Sequence, residues 1–399
     1  MGDFISLIRQ LFFFLRIFRI SLDVILRMVF DLTGCRRLME EMRLNCLIAT
    51  SHDNVYYASG SNIETVSLLK RLAAVFLPLD LDPVFAVHRN ENVTAQQTTW
   101  IKDLRVYEGG EWEPLKPIEY LAGVLKEKGL AKARIGLELL DLSAHCFQHL
   151  QKLLPSAEFV DAERIFNEMK AVKSDEELKL LSDANMATAK ANVLTFEMAR
   201  RGDSERGMAQ NLMNLMVHYG ADRVALLSLA SGPNILELHY VLGERRISEG
   251  DLVHVDTGGY FGGYLSDISR TAVVGRPSES QLNAYKIAVG AESAAADAMH
   301  DGAKVMDVYR ATGRFYEARG YSFTSAFIGH SIGIGCHELP FLGPSHGNWI
   351  LKPGMFFEVE PSITVGPIRV HTEDAFIVGK DGAKNVSEYR DVSQLQTIN

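Results

Sequence analysis

Beyond residue 35 the chain alternates short apolar runs with amphipathic stretches. RRLMEEMR predicts a short helix, NCLIAT a strand, Ser51 to Asn54 a turn, and VYYASG a further apolar stretch. ARIGLELL (133–140) and AEFVDA predict strands flanking the helical HCFQHLQKLL (145–154), and the Pro-containing PLKPIEYL is a loop entering a helix. That alternation predicts a three-layer α/β domain ending near residue 165. From Ser174 the pattern changes. Ser174-Asp175-Glu176-Glu177 is a helix-start signal and Gly202 a stop, so one long helix is expected between them. Asp203 and Ser204 cap another helix to about His218, and further helices are expected near 278–300 and 304–319. Strands are predicted in RVALLSLA, DLVHVDTG, GGYLSDISRTAVV, MFFEVEPSI and EDAFIVG. Without a regular strand–helix–strand repeat, this half reads as α+β with a largely antiparallel sheet.

Residues 4–30 are apolar in a different way. They hold six of the 20 Phe residues, yet Arg9, Arg16, Arg19, Asp23 and Arg27 interrupt the run. The longest charge-free stretch between them is six residues, whereas a membrane-spanning helix needs roughly 18 or more. On a helix at about 100° per residue those charges fall within roughly 80° of one another, so the segment is amphipathic. A secretory signal is not expected, because Asp3 precedes the first apolar block and the first Ala is Ala49. The residues leave open an extra core-packed helix, an oligomer contact, or contact with a membrane surface. Membrane contact is disfavoured by a net charge of only +1 over residues 1–31.

Composition narrows the class. With 399 residues the chain is long for one core, and 47% hydrophobic with 23% charged residues is ordinary for a folded protein. Its 41 Lys+Arg against 50 Asp+Glu give a net charge of −9, which argues against a general nucleic-acid binder. Cys35, Cys46, Cys146 and Cys336 are scattered, with no CxxC, so a reducing, cytoplasmic setting is expected.

Five metal-competent residues then follow in order, each on or beside a predicted strand: Asp256, Asp267, His330, Glu360 and Glu373. Asp256 and Asp267 flank GGYFGG, a natural reversal, so one hairpin brings both carboxylates to one site. His330 lies in GHSIGIGCHELP, whose small residues are expected to let the backbone approach whatever His330 holds. Four carboxylates and one imidazole balance two divalent cations, which bridging carboxylates hold about 3.5–4 Å apart. A lone Asp or His is usually a turn cap or a satisfied polar group. The ordered set outweighs that reading.

The order D-x10-D, G-H-x2-G-x3-H-E, E-P and a final E-D resembles the pita-bread metallopeptidases: methionine aminopeptidase, aminopeptidase P and prolidase. KSDEELKLL, SGPNILELHY and SDISRT agree with it, and 36–165 resembles the N-terminal domain of the creatinase, prolidase and aminopeptidase P branch. The resemblance implies a creatinase-like α/β domain at 35–165, a pita-bread α+β domain at 166–399, and residues 1–34 as an extension. It implies that the five residues hold two divalent ions (Mn, Co, Zn or Fe, with Mn slightly ahead), Asp267 and Glu373 bridging. A bridging water is then activated to attack the bond before proline, in an Xaa-Pro dipeptidase or aminopeptidase acting on proline-containing di- or oligopeptides. Glu360 is implied as proton shuttle, His239 and His337 as contacts to substrate and its developing charge, and a homodimer as the assembly.

Two departures stand out. Many prolidases have Arg two residues before the final Glu, where this chain has His371, a candidate substrate contact, with Arg369 two further back. The usual EPG is EPS through Ser362. These keep open an alternative on a small non-peptide molecule, as in creatinase, ectoine hydrolase or dimethylsulfoniopropionate lyase. Against it, the five ligands are all present and Gly258 does not supply the extra acidic ligand of the lyase.

Overall fold

The computed structural model describes residues 30–69, 71–109, 112–237 and 240–399. The apolar segment 4–30 lies outside the described residues apart from Phe30, and so does His239. The described residues fall into two compact units, one reaching Lys170 and the other running from Ala171 to Asn399.

The first unit is built on strands β1 (Cys46–Ala49), β2 (Ala74–Pro78), β3 (Val84–His88), β4 (Asp103–Tyr107), β5 (Arg134–Leu137) and β6 (Glu158–Asp161). They form one mixed sheet in the order β4-β3-β2-β1-β5-β6. Strand alternation divides the core in two. Leu47, Val75, Leu77, Phe85 and Val87 face one side, where helices Leu32–Glu41, His52–Ser59 and Glu163–Ala171 cover them. Ile48, Phe76, Val84 and Ala86 face the other, covered by helices Lys116–Glu127 and Ala144–Leu153. Each buried Phe or Leu here contributes about 1.5–3 kcal/mol, and the central strands β1 to β3, covered on both faces, read as near-continuous apolar runs. VYYASG belongs to the helix His52–Ser59, because Ser51 Oγ caps it by accepting from the Asn54 N–H and Gly60, at φ 75°, ends it.

The second unit begins with helix Asp175–Met198, opened by the capping box of Ser174 and Glu177. Helices Glu205–His218, Glu279–Asp297 and Val305–Glu317 follow. Its sheets use β7 (Arg223–Ser231), β8 (Leu252–Phe261), β9 (Tyr264–Leu265), β10 (Ile268–Val274), β11 (Gly329–Ser331), β12 (Glu338–Phe341), β13 (Phe356–Val359), β14 (Ser362–Val365), β15 (Ile368–His371), β16 (Asp374–Val378), β17 (Ala383–Asn385) and β18 (Gln396–Ile398). One sheet runs β18-β10-β8-β7 with β9 on β8, the next β12-β11-β13-β16-β17, and β14 with β15 forms a hairpin. All these pairs are antiparallel except β10 with β18. The β8–β9 reversal is Gly262-Gly263, at φ 56° and 84°, a backbone open to glycine and costly for other residues.

Candidate metal centre

Antiparallel pairing of β8 with β10 sets Asp256 opposite Ser269, and Asp267 is the residue before β10. One buried polar stripe on helix Asp175–Met198 holds that turn. The Asp267 N–H donates to Asn185 Oδ1 at 3.0 Å, Thr188 and Ser266 share a hydroxyl contact of 2.7 Å, and Asn192 Nδ2 donates to the Ile268 carbonyl at 2.9 Å. Asn185, Thr188 and Asn192 follow helical spacing, so all three reach the same segment.

The other three candidates come from the second sheet. His330 is central in β11, opposite Glu358 of β13. Glu360 follows β13, with its N–H donating to the Ile328 carbonyl at 2.9 Å. Glu373 precedes β16, and its N–H donates to the Ser269 carbonyl at 3.2 Å, tying the two sheets at the site. Arg270 supports this junction, Nη1 donating to the Glu373 carbonyl and Nη2 to Asp374 Oδ1, each at 2.6 Å.

The His330 ring has one assignable state. Its Nδ1 lies 3.1 Å from the Ser331 carbonyl, which only accepts, so Nδ1 carries the proton. Burial keeps the ring neutral by lowering its pKa. The Nε2 lone pair therefore points at Glu360 Oε1 (3.7 Å) and Glu373 Oε1 (3.9 Å). Facing lone pairs at that distance repel, unless a cation sits among them.

The carboxylates say the same. Burial, and then the neighbouring carboxylates Asp256 and Glu360, push Asp267 well above the ordinary range; burial, and then Asp267, Glu360 and Asp256, do so for Glu373. Burial also raises Asp256. Glu360 alone is lowered: burial opposes ionisation, and the hydrogen bond from His371 favours it. Asp256 Oδ1 and Asp267 Oδ1 are buried and accept no hydrogen bond, a costly state that a cation would relieve. Donor atoms of Asp267, His330 and Glu373 all lie within 4.8 Å of one another, and so do those of His254, Asp256 and His371. Hard oxygens with imidazole nitrogen fit divalent cations.

The glycines around His330 act differently from the expectation. A Cβ on Gly329 would sit 2.2 Å from the Glu358 carbonyl oxygen, and one on Gly333 would sit 2.5 Å from Glu338 Oε2. They admit β13 and Glu338, and thereby fix His330 rather than opening the backbone to its ligand. His337 is exposed, its ring 4.4 Å from that of His330 and 5.5 Å from Phe341, at the rim of the cluster. Cys336, missed by the sequence reading, donates its thiol to Asp267 Oδ2 at 3.3 Å. Burial and that carboxylate hold the thiol protonated. Also missed were Asn185, Asn192, Ser269, His254 and Arg270. For the first two the available signal was their spacing, two helical turns apart and beside the apolar Leu181, Ala184 and Ala191.

The sequence matches the model of metallopeptidase family M24 over residues 179–380 and that of the creatinase/prolidase N-terminal domain over 32–172. An Xaa-Pro dipeptidase of Pyrococcus horikoshii is 26% identical, covering 88% of this chain and 94% of the relative. One of Pyrococcus furiosus is 30% identical over 58% of this chain and 67% of its own length. The solved structure of a dipeptidase from Pyrococcus horikoshii superposes with a TM-score of 0.81 at 27% identity, over 92% of this chain and 99% of that one.

Proposed function

The chain belongs to metallopeptidase family M24 and carries a creatinase/prolidase N-terminal domain ahead of the peptidase domain; from that premise we propose that it hydrolyses the peptide bond preceding proline, as an Xaa-Pro dipeptidase or aminopeptidase. The observation that carries this reading is the meeting of buried, mutually repelling carboxylates with the His330 lone pair at one point. Asp256, Asp267, His330, Glu360 and Glu373 would hold two divalent cations. Those cations would polarise the scissile carbonyl and lower the pKa of a shared water into the neutral range.

The chain's own groups do the rest. Asp267 and Glu373 each feel carboxylates on several sides, which suits them to the bridging positions. The hydrogen bond from His371 works against burial to hold Glu360 below the ordinary carboxylate range, and its side chain keeps 19% exposure, which suits it to take a proton from water and deliver it to the leaving amine. His337 at the rim presents a ring N–H to negative charge developing on the substrate carbonyl oxygen. His239 is assigned the same task from its motif. A proline after the scissile bond has no N–H and a fixed φ, so a shaped site must accept it.

Mn²⁺ is the cation we place first, a homodimer the assembly, and the cytoplasm the setting. Four free thiols support a reducing compartment, and among the described residues no helix is long and apolar enough to cross a membrane.

The test is an assay of chelated protein on Xaa-Pro dipeptides and on longer X-Pro peptides, with Mn²⁺, Co²⁺ or Zn²⁺ restored. Turnover is expected with at least one metal and lost in a folded Asp267→Ala variant. Silence with every metal on every peptide would sink the proposal.

A further inference from the structure

His371 occupies the position where an Arg was expected, and its surroundings give it a defined task. Its Nε2 lies 3.2 Å from Glu360 Oε2 and its Nδ1 3.2 Å from Ser269 Oγ. Ser269 Oγ in turn lies 2.7 Å from His254 Nε2. We propose that His371, braced by Ser269 and His254, is a positioning residue that fixes Glu360 by a hydrogen-bond chain running from the interior of β8 to the metal centre. The inference rests on the placement of Glu360 in that centre.

The polarity of the chain follows from donor chemistry. The carboxylate only accepts, so His371 Nε2 carries a proton. With a neutral ring, Nδ1 is a lone pair and takes the Ser269 hydroxyl proton, leaving Ser269 Oγ to accept from His254 Nε2–H. The Val255 carbonyl, 3.1 Å from Ser269 Oγ, is the competing acceptor for that hydroxyl proton. When Ser269 donates there, Nδ1 must itself donate, and Nε2–H still points at Glu360. Either way one carboxylate oxygen is occupied and the other, Oε1, is turned toward His330 at 3.7 Å.

The backbone holds this arrangement. Thr271 Oγ1 donates to the His371 carbonyl at 2.8 Å, fastening β15 to β10. The rings of His254 and His371 pack 5.3 Å apart. Arg369 and His371, two apart on β15, share a face, and the Arg369 charge acts on Asp256 and Glu360. Two tasks that one Arg could combine are thus divided: His371 gives the donor and Arg369 the positive charge. With both ring nitrogens engaged inside the protein, His371 acts through Glu360 and not on substrate.

The experiment compares His371→Phe, His371→Gln and Ser269→Ala with the parent protein, by X-Pro turnover and by Co²⁺ titration followed in visible absorbance. In His371→Phe, kcat should fall by about 10–100-fold and one Co²⁺ site should weaken by a similar factor, the usual effect of losing an outer partner of a ligand. KM should stay within about threefold, since substrate binding is untouched. Gln, whose Nε2 reaches the same carboxylate, should recover most of the loss, and Ser269→Ala should lie between. An unchanged kcat, a rise confined to KM, a Gln variant as impaired as Phe, or loss of a whole Co²⁺ equivalent would each overturn the inference. If the parent protein turns over no X-Pro peptide while the Co²⁺ pattern holds, the proposed activity fails and this positioning role stands.

Discussion

Arg270 shows how much a single residue outside the ligand set can matter. It is 6% exposed, donates to the carbonyls of Ser269 and Glu373, and pairs with the fully buried Asp374. Burial penalises its charge, and the Asp374 carboxylate more than restores it. Replacing it by Ala would strand Asp374 in the core, where an unpaired buried charge costs about 3–5 kcal/mol. Arg270→Ala is therefore expected to lower the denaturation midpoint strongly and, at temperatures where it remains folded, to weaken Co²⁺ binding through the freed Glu373 backbone. Urea unfolding and a metal titration on the same sample check both parts. Nothing in SDISRT marks Arg270 as buried. Its role was decided by Asp374, 104 residues later.

At the level of elements, the helix Asp175–Met198 does two jobs with two faces. Its apolar side, including Ala184, Ala191 and Phe196, packs with β8 and β10 in the core. Its polar stripe, Asn185, Thr188 and Asn192, holds Ser266 to Ile268 in place. Asn185→Leu removes the acceptor of the Asp267 N–H, and leaving a buried donor unpaired costs about 1–3 kcal/mol. We expect that loss of stability together with weaker metal binding, whereas Ser182→Ala on the same helix, whose hydroxyl only returns to the Leu178 carbonyl, should leave metal binding unchanged. Calorimetric metal titration separates the two. The strand-and-turn pattern made the Asp256–Asp267 hairpin legible in the sequence, because its glycines and alternation are local. The stripe was less so, since a buried Asn resembles any other Asn until its partner strand is known.

Over the whole catalytic unit, the candidate metal centre is a reservoir of unfavourable charge. Asp256, Asp267 and Glu373 all resist ionisation where they stand, so cations that bind only the folded state should stabilise it. At a free concentration 100 times Kd the gain is about 2.7 kcal/mol, or roughly 5–10 °C for a unit of this size. Scanning calorimetry with and without chelator should show the shift in the parent and lose most of it in Asp267→Ala; equal midpoints in the parent would mean that no cation is held at the carboxylates. The sequence by itself determined most of the strands and helices and the order of five candidate donors along them, because periodicity, caps and short-range turns are written in neighbouring residues. Only the tertiary structure decided which donors meet, which lone pair of His330 faces them, and that His371 serves Glu360. Those outcomes depend on contacts whose partners lie from 11 residues apart, for His371 and Glu360, to 102 apart, for Ser269 and His371, and on strand pairings that no local pattern specifies.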